Sequence, residues 1–84
     1  MKENVDFIIA KLNPIFRDVF DDDGLVINEN TAADDVDGWD SLAQIRLIVS
    51  IEKHFKLRFS AAEISELHNV GEMAQLIIEK QAYV

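Results

Sequence analysis

The 84 residues carry a formal net charge of −8 and no cysteine. So short a chain makes one domain, residues 1–84, with little room for a deep water-excluding cavity, which argues against an enzyme. The missing cysteines exclude a disulfide framework and a thiolate metal site, and the acid excess repels nucleic acid and anionic lipid.

The charge is uneven. Residues 1–40 hold three basic and eleven acidic side chains, whereas residues 41–84 hold five of each. The opening Met1-Lys2-Glu3-Asn4-Val5-Asp6 places acids where a secretion signal would be apolar, and no apolar run reaches membrane-spanning length. A soluble, cytoplasmic monomer without membrane insertion is expected.

Residues 4–20 read as a first helix. Val5, Ile8, Ile9, Leu12, Ile15, Phe16 and Val19 recur at three- and four-residue steps, an amphipathic stripe. Pro14 removes a backbone donor and predicts a kink or two helical pieces in phase. Asp21-Asp22-Asp23-Gly24 should end the helix, with Gly24 taking a left-handed turn.

Residues 21–40 then read as a long acidic loop without regular structure, pinned to the core by Leu25, Val26 and Ile27. So long a connection in a compact domain is usually functional. It is no helix-loop-helix calcium site. Aligning Gly24 or Gly38 with the invariant glycine puts Val19 or Ala33 first and Asn30 or Gln44 twelfth, where acids are required. No metal is expected.

Residues 41–55 form a second helix. Ser41 with Gln44 fits a capping box, in which the serine hydroxyl would serve only to cap the first turn. At 100° per residue, Leu47, Ile48, Ile51 and Phe55 fall on one arc, and Leu42, Ile45 and Val49 on a second, roughly 130° away. The first arc suffices for a core. The second begins beside Ser41, and either packs under the loop or forms a partner surface with Arg46, Glu52 and Lys53 nearby.

Ser60 with Glu63 opens a short third helix with Ile64 and Leu67 inward. Asn69 with Glu72 opens a fourth, with Met73, Leu76 and Ile77 inward and Lys80 near its end. There is no strand pattern and no repeat. The fold class is all-α: a small antiparallel four-helix bundle, three main helices plus one short, with a long acidic loop between the first two.

A catalytic set is missing. His54 and His68 have no acid and nucleophile to work with and read as surface residues. The glycines at 24, 38 and 71 make no phosphate loop. A serine at a helix N-terminus is well placed to hold a phosphate, since free amides and the helix dipole favour negative charge there.

Gly38 followed by Asp40-Ser41-Leu42, at a loop-to-helix junction midway along an acidic helical chain, resembles the acyl carrier proteins, over nearly the whole length. The resemblance implies that Ser41 carries 4′-phosphopantetheine, with Asp40 assisting its transfer. It implies partners: a phosphopantetheinyl transferase, an acyl- or aminoacyl-activating ligase, and a ketosynthase or acyltransferase. These would dock on Leu42, Ile45, Arg46, Val49, Glu52 and Lys53.

The likeness has departures. Ala43, Arg46 and Lys53 stand where carriers of primary fatty acid synthesis have acids. Trp39 differs from those carriers and from peptidyl carriers, which have glycine there. A specialised stand-alone carrier of a lipid, polyketide or related pathway is expected. The alternatives are an aminoacyl or peptidyl carrier, and a helical module that docks partners and uses Ser41 as a cap.

Overall fold

The computed structural model describes residues 4–81; Met1 to Glu3, which entered the secretion-signal reading, lie outside them. Four helices follow in order: α1 Val5–Val19, α2 Ser41–Phe55, the short α3 Ala61–Ser65 and α4 Val70–Gln81. The described residues contain no strand. α1 packs against both α2 and α4, forming a four-helix bundle.

α1 starts where Asn4 accepts the Phe7 amide on its side chain, and buries Ile8, Ile9, Leu12, Phe16 and Val19. Pro14 does not split it: the helix is one unbroken element through Val19. Pro14 and Ala10, whose carbonyl loses its partner, both lie on the exposed face. Water can satisfy that carbonyl, so the missing hydrogen bond does not break the helix.

The stop is also not as expected. Asp21, with φ of 50°, takes the left-handed position, and Gly24 does not have a positive φ. Asp21 N–H donates to the Asp18 carbonyl and Asp22 N–H to that of Arg17, a Schellman end. Aspartate tolerates that conformation better than most residues.

The loop from 21 to 40 is not wholly irregular. Ala33–Asp35 form one 3-10 turn, held where Asp35 Oδ2 accepts the Ala32 amide at 2.9 Å. Ile27 and Val36 are buried, Leu25 is half-buried, and Val26 points out at 70% exposure. Hydrogen bonds to the loop's backbone also tie it down. Asn13 Oδ1 accepts the Ile27 amide at 2.9 Å, and Arg17 Nε donates to the Leu25 carbonyl at 2.7 Å. At the other side, the Val70 and Gly71 amides donate to the Thr31 and Glu29 carbonyls at 2.8 and 2.9 Å. These are free first-turn amides of α4, so the loop itself satisfies that helix end.

α2 buries Leu47, Ile48 and Ile51 together with Ala43 at its start, and Phe55 is half-buried. The Ser60–Glu63 capping box of α3 is present on both sides. Leu67 lies beyond that helix and, like Ile64, is half-buried. At α4, Asn69 accepts the Glu72 amide, while Glu72 reaches back to the His68 amide. Met73 and Ile77 are core residues, and Leu76 is half-buried.

Candidate functional site

The junction of the acidic loop with α2 is built from Trp39 outward. Its indole meets the Phe16 ring edge-on at 5.3 Å and lies 5.9 Å from Phe20, so the turn before α2 is anchored on α1. Its Nε1 donates to Gln44 Oε1 at 2.6 Å, which fastens the same turn to the second turn of α2. Gly38, with φ of 84°, provides the reversal between Val36 and Trp39.

Asp40 is the N-cap of α2. Its Oδ1 accepts the Ala43 amide at 2.8 Å, and its carbonyl accepts the Gln44 amide at 2.9 Å. This corrects the capping box expected of Ser41 and Gln44. The serine is the first helical residue, one position past the cap, and Gln44 is committed to Trp39. The sequence permits either cap because aspartate and serine are comparably good at the position.

With Asp40 as the cap, the serine is free. Ser41 is exposed, and its hydroxyl has no hydrogen-bond partner among the described residues. The other serines differ. Ser60 Oγ accepts the Glu63 amide, Ser65 Oγ donates to the Ala62 carbonyl, and Ser50 is half-buried within α2. Beside Ser41, the amides of Ser41 and Leu42 have no protein acceptor among the described residues, and the positive end of the helix dipole points there. An anionic phosphodiester fits such a place on charge and on donors.

A groove of about 520 Å³ opens alongside, lined on one side by Trp39, Ser41, Gln44 and Ile45 and on the other by Leu67, His68 and Met73. The sequence pattern marks Leu67 and Met73 only as inward residues and His68 only as a surface one. His68 is indeed exposed, with its Nδ1 2.7 Å from the Glu66 carbonyl. Its nearness to Ser41 is a consequence of tertiary packing that no local pattern announces. His54 is exposed on α2, edge-on to Phe55.

The second arc of α2 is not covered by the loop. Leu42, Ile45 and Val49 are 66%, 61% and 42% exposed. Arg46 and Lys53 are exposed too. Glu52 is half-buried and has a structural task, since its Oε2 accepts the Phe59 amide at 2.9 Å. Among the described residues no group of histidines and acids could hold a metal ion, and no helix is long and apolar enough to cross a membrane.

Residues 10–77 match the family model for the phosphopantetheine attachment site. A solved structure, the holo acyl carrier protein from Geobacter metallireducens, is 47% identical over 90% of this chain and 87% of its own, with a TM-score of 0.86. No curated protein matches. The fold and the match together define a phosphopantetheine-bearing carrier domain. The chain belongs to the acyl carrier protein family, and its prosthetic group is covalently attached 4′-phosphopantetheine. Membership also brings a phosphopantetheinyl transferase and biosynthetic enzymes as general partners.

Proposed function

We propose that Ser41 is the attachment residue and that the arm holds an acyl or aminoacyl group as a thioester on its terminal thiol. The observation that carries this reading is the exposed, unpartnered Ser41 hydroxyl at the start of α2, released from capping by Asp40. In the transfer from coenzyme A, the Ser41 oxygen forms a bond to phosphorus, the pyrophosphate link of coenzyme A breaks, and the nucleotide leaves. The free amides of Ser41 and Leu42 would supply hydrogen-bond donors to the phosphodiester once attached. Asp40 is exposed, and its second oxygen is available to a metal ion held by the modifying enzyme.

On this reading residues 1–84 are one carrier domain, a monomer of the cytoplasm that catalyses no step itself. An activating ligase loads the thiol, and a ketosynthase or acyltransferase unloads it. Leu42, Ile45 and Val49, with Arg46, Glu52 and Lys53, supply the docking face. The cations on α2 favour a specialised lipid or polyketide pathway over primary fatty acid synthesis. That Asp40 is the N-cap supports this reading over the rival use of Ser41 as a mere cap.

The test is to incubate the protein with coenzyme A and a broad-specificity transferase and weigh it. The expected result is a gain of one phosphopantetheine. An unchanged mass would overturn the reading.

A further inference from the structure

At the far end of α2 from Ser41 lies a second groove, of about 500 Å³, lined by Val49, Glu52, Lys53, Lys56, Leu57 and Arg58. Lys53, Lys56 and Arg58 are exposed, and none makes an ion pair among the described residues. Other cations are engaged: Lys11 sits 4.6 Å over the Phe7 ring, Arg17 holds the Leu25 carbonyl, and Lys80 pairs with Glu63 at 2.9 Å. A chain of net charge −8 has thus gathered three unpaired cations around one groove.

The helix dipole explains part of this. Cations are favoured at a helix C-terminus, which accounts for Lys53 and Lys56. It does not account for Arg58, which lies past the helix end, nor for exposed Arg46 one helical turn further back along α2 from Val49. Val49 is both a wall of the groove and the last member of the exposed stripe begun by Leu42 and Ile45. One continuous surface therefore runs from exposed Asp40, the N-cap beside Ser41, along an apolar stripe, to the cations.

We infer that this surface docks a protein partner that sets carboxylates opposite Lys53, Lys56 and Arg58 and an apolar socket over Leu42, Ile45 and Val49. An apolar centre with a charged rim is the usual build of a protein interface, and charge complementarity fixes its orientation. A flat anionic membrane fits poorly. It would meet the cations only by also facing Asp40 at the other end of the same stripe, on a chain of net charge −8. The inference deepens the carrier reading by giving the partner's chemistry, and it rests on that reading only for the partner's purpose.

The test is a titration of ¹⁵N-labelled protein at low salt with two synthetic amphipathic helical peptides. Both carry the same leucine stripe; one is flanked by glutamates and the other by lysines. The glutamate peptide should move the amide signals of Val49, Lys53, Lys56 and Arg58. Lys53→Glu with Arg58→Glu should weaken its binding ~10-fold or more through like-charge contact. Lys53→Gln with Arg58→Gln, which adds no repulsion, should weaken it less but in the same direction. Both double variants replace exposed residues, and circular dichroism checks that the helices persist.

The inference is overturned if neither peptide moves these signals, if the lysine peptide moves them as strongly, or if the variants bind the glutamate peptide like the parent. Phosphatidylglycerol vesicles that move them where the glutamate peptide does not would mark a membrane contact instead, and overturn it too. Mass gain with coenzyme A is measured separately. A protein that takes the arm but ignores the glutamate peptide refutes this inference alone, and the converse result refutes the carrier reading alone.

Discussion

Asp40 caps the helix that Ser41 begins: its Oδ1 accepts the Ala43 amide at 2.8 Å, and the neighbouring serine is left with nothing to hold. Stability and modification are therefore divided between adjacent residues. Asp40→Ala should lower unfolding stability by about 1 kcal/mol, the usual cost of a lost cap. Ser41→Ala should change it by less than about 0.5 kcal/mol, as for an uninvolved surface position. Urea denaturation of the two variants checks this; a larger loss for Ser41→Ala than for Asp40→Ala would restore the serine as the cap.

Gly71 and Glu29 meet backbone to backbone, and a Cβ on residue 71 would lie 2.8 Å from the Glu29 carbonyl oxygen. Gly71→Ala should force apart the contact that joins the loop to α4 and destabilise the protein by about 1–3 kcal/mol, as overpacking does. Gly24 offers the comparison: a Cβ there would sit 3.6 Å from Asp22 Oδ1, an ordinary contact. Gly24→Ala should be neutral or slightly stabilising. Thermal unfolding separates the two, and equal effects would count against the close approach.

Trp39 is the only tryptophan, so its fluorescence reports the junction directly. Trp39→Phe keeps an aromatic ring against Phe16 and Phe20 but removes the donor to Gln44 Oε1. A stability loss of about 1 kcal/mol is expected. Gln44→Leu should shift the Trp39 emission, since the indole N–H loses its partner. An unchanged spectrum would say that the bond is not made in solution.

How much of this could be read from the sequence depends on how local each cause is. The stripe from Val5 to Val19 and the two arcs of α2 follow from side-chain spacing alone, and the limits of α2, Ser41 and Phe55, agree with it. The capping box of Ser60 and Glu63 is likewise local. At Asp40-Ser41 two competent caps stand side by side; in the fold Asp40 takes the role, and Gln44 is held by Trp39, which itself rests on Phe16 of α1 and on Phe20. The loop was opaque for the same reason. Its order comes from Asn13 and Arg17 on α1 and from the Val70 and Gly71 amides of α4, far off in the chain. Val26 was expected inside on composition, but its neighbours Leu25 and Ile27 already face the bundle and turn it outward.

Glu63 and Lys80 join α3 to α4 at 2.9 Å. The Lys80 ammonium, and after it the Ser60 amide, holds the Glu63 carboxyl below its ordinary value. A carboxylate so depressed adds stability that is present above its unfolded pKa and is lost as pH falls through the folded one. Melting temperature should therefore drop on acidification below about pH 4.5, with part of the drop due to this pair. Glu63→Gln should flatten that part of the profile while leaving the neutral-pH end lower. A profile with the parent's slope would remove Glu63 from the account.

The central claim concerns one oxygen among four serines. After incubation with coenzyme A and a transferase, peptide fragmentation by tandem mass spectrometry should place the added phosphopantetheine on Ser41, and Ser41→Ala should stay at its starting mass. An arm found on Ser50, Ser60 or Ser65, or one still added to the alanine variant, would contradict it.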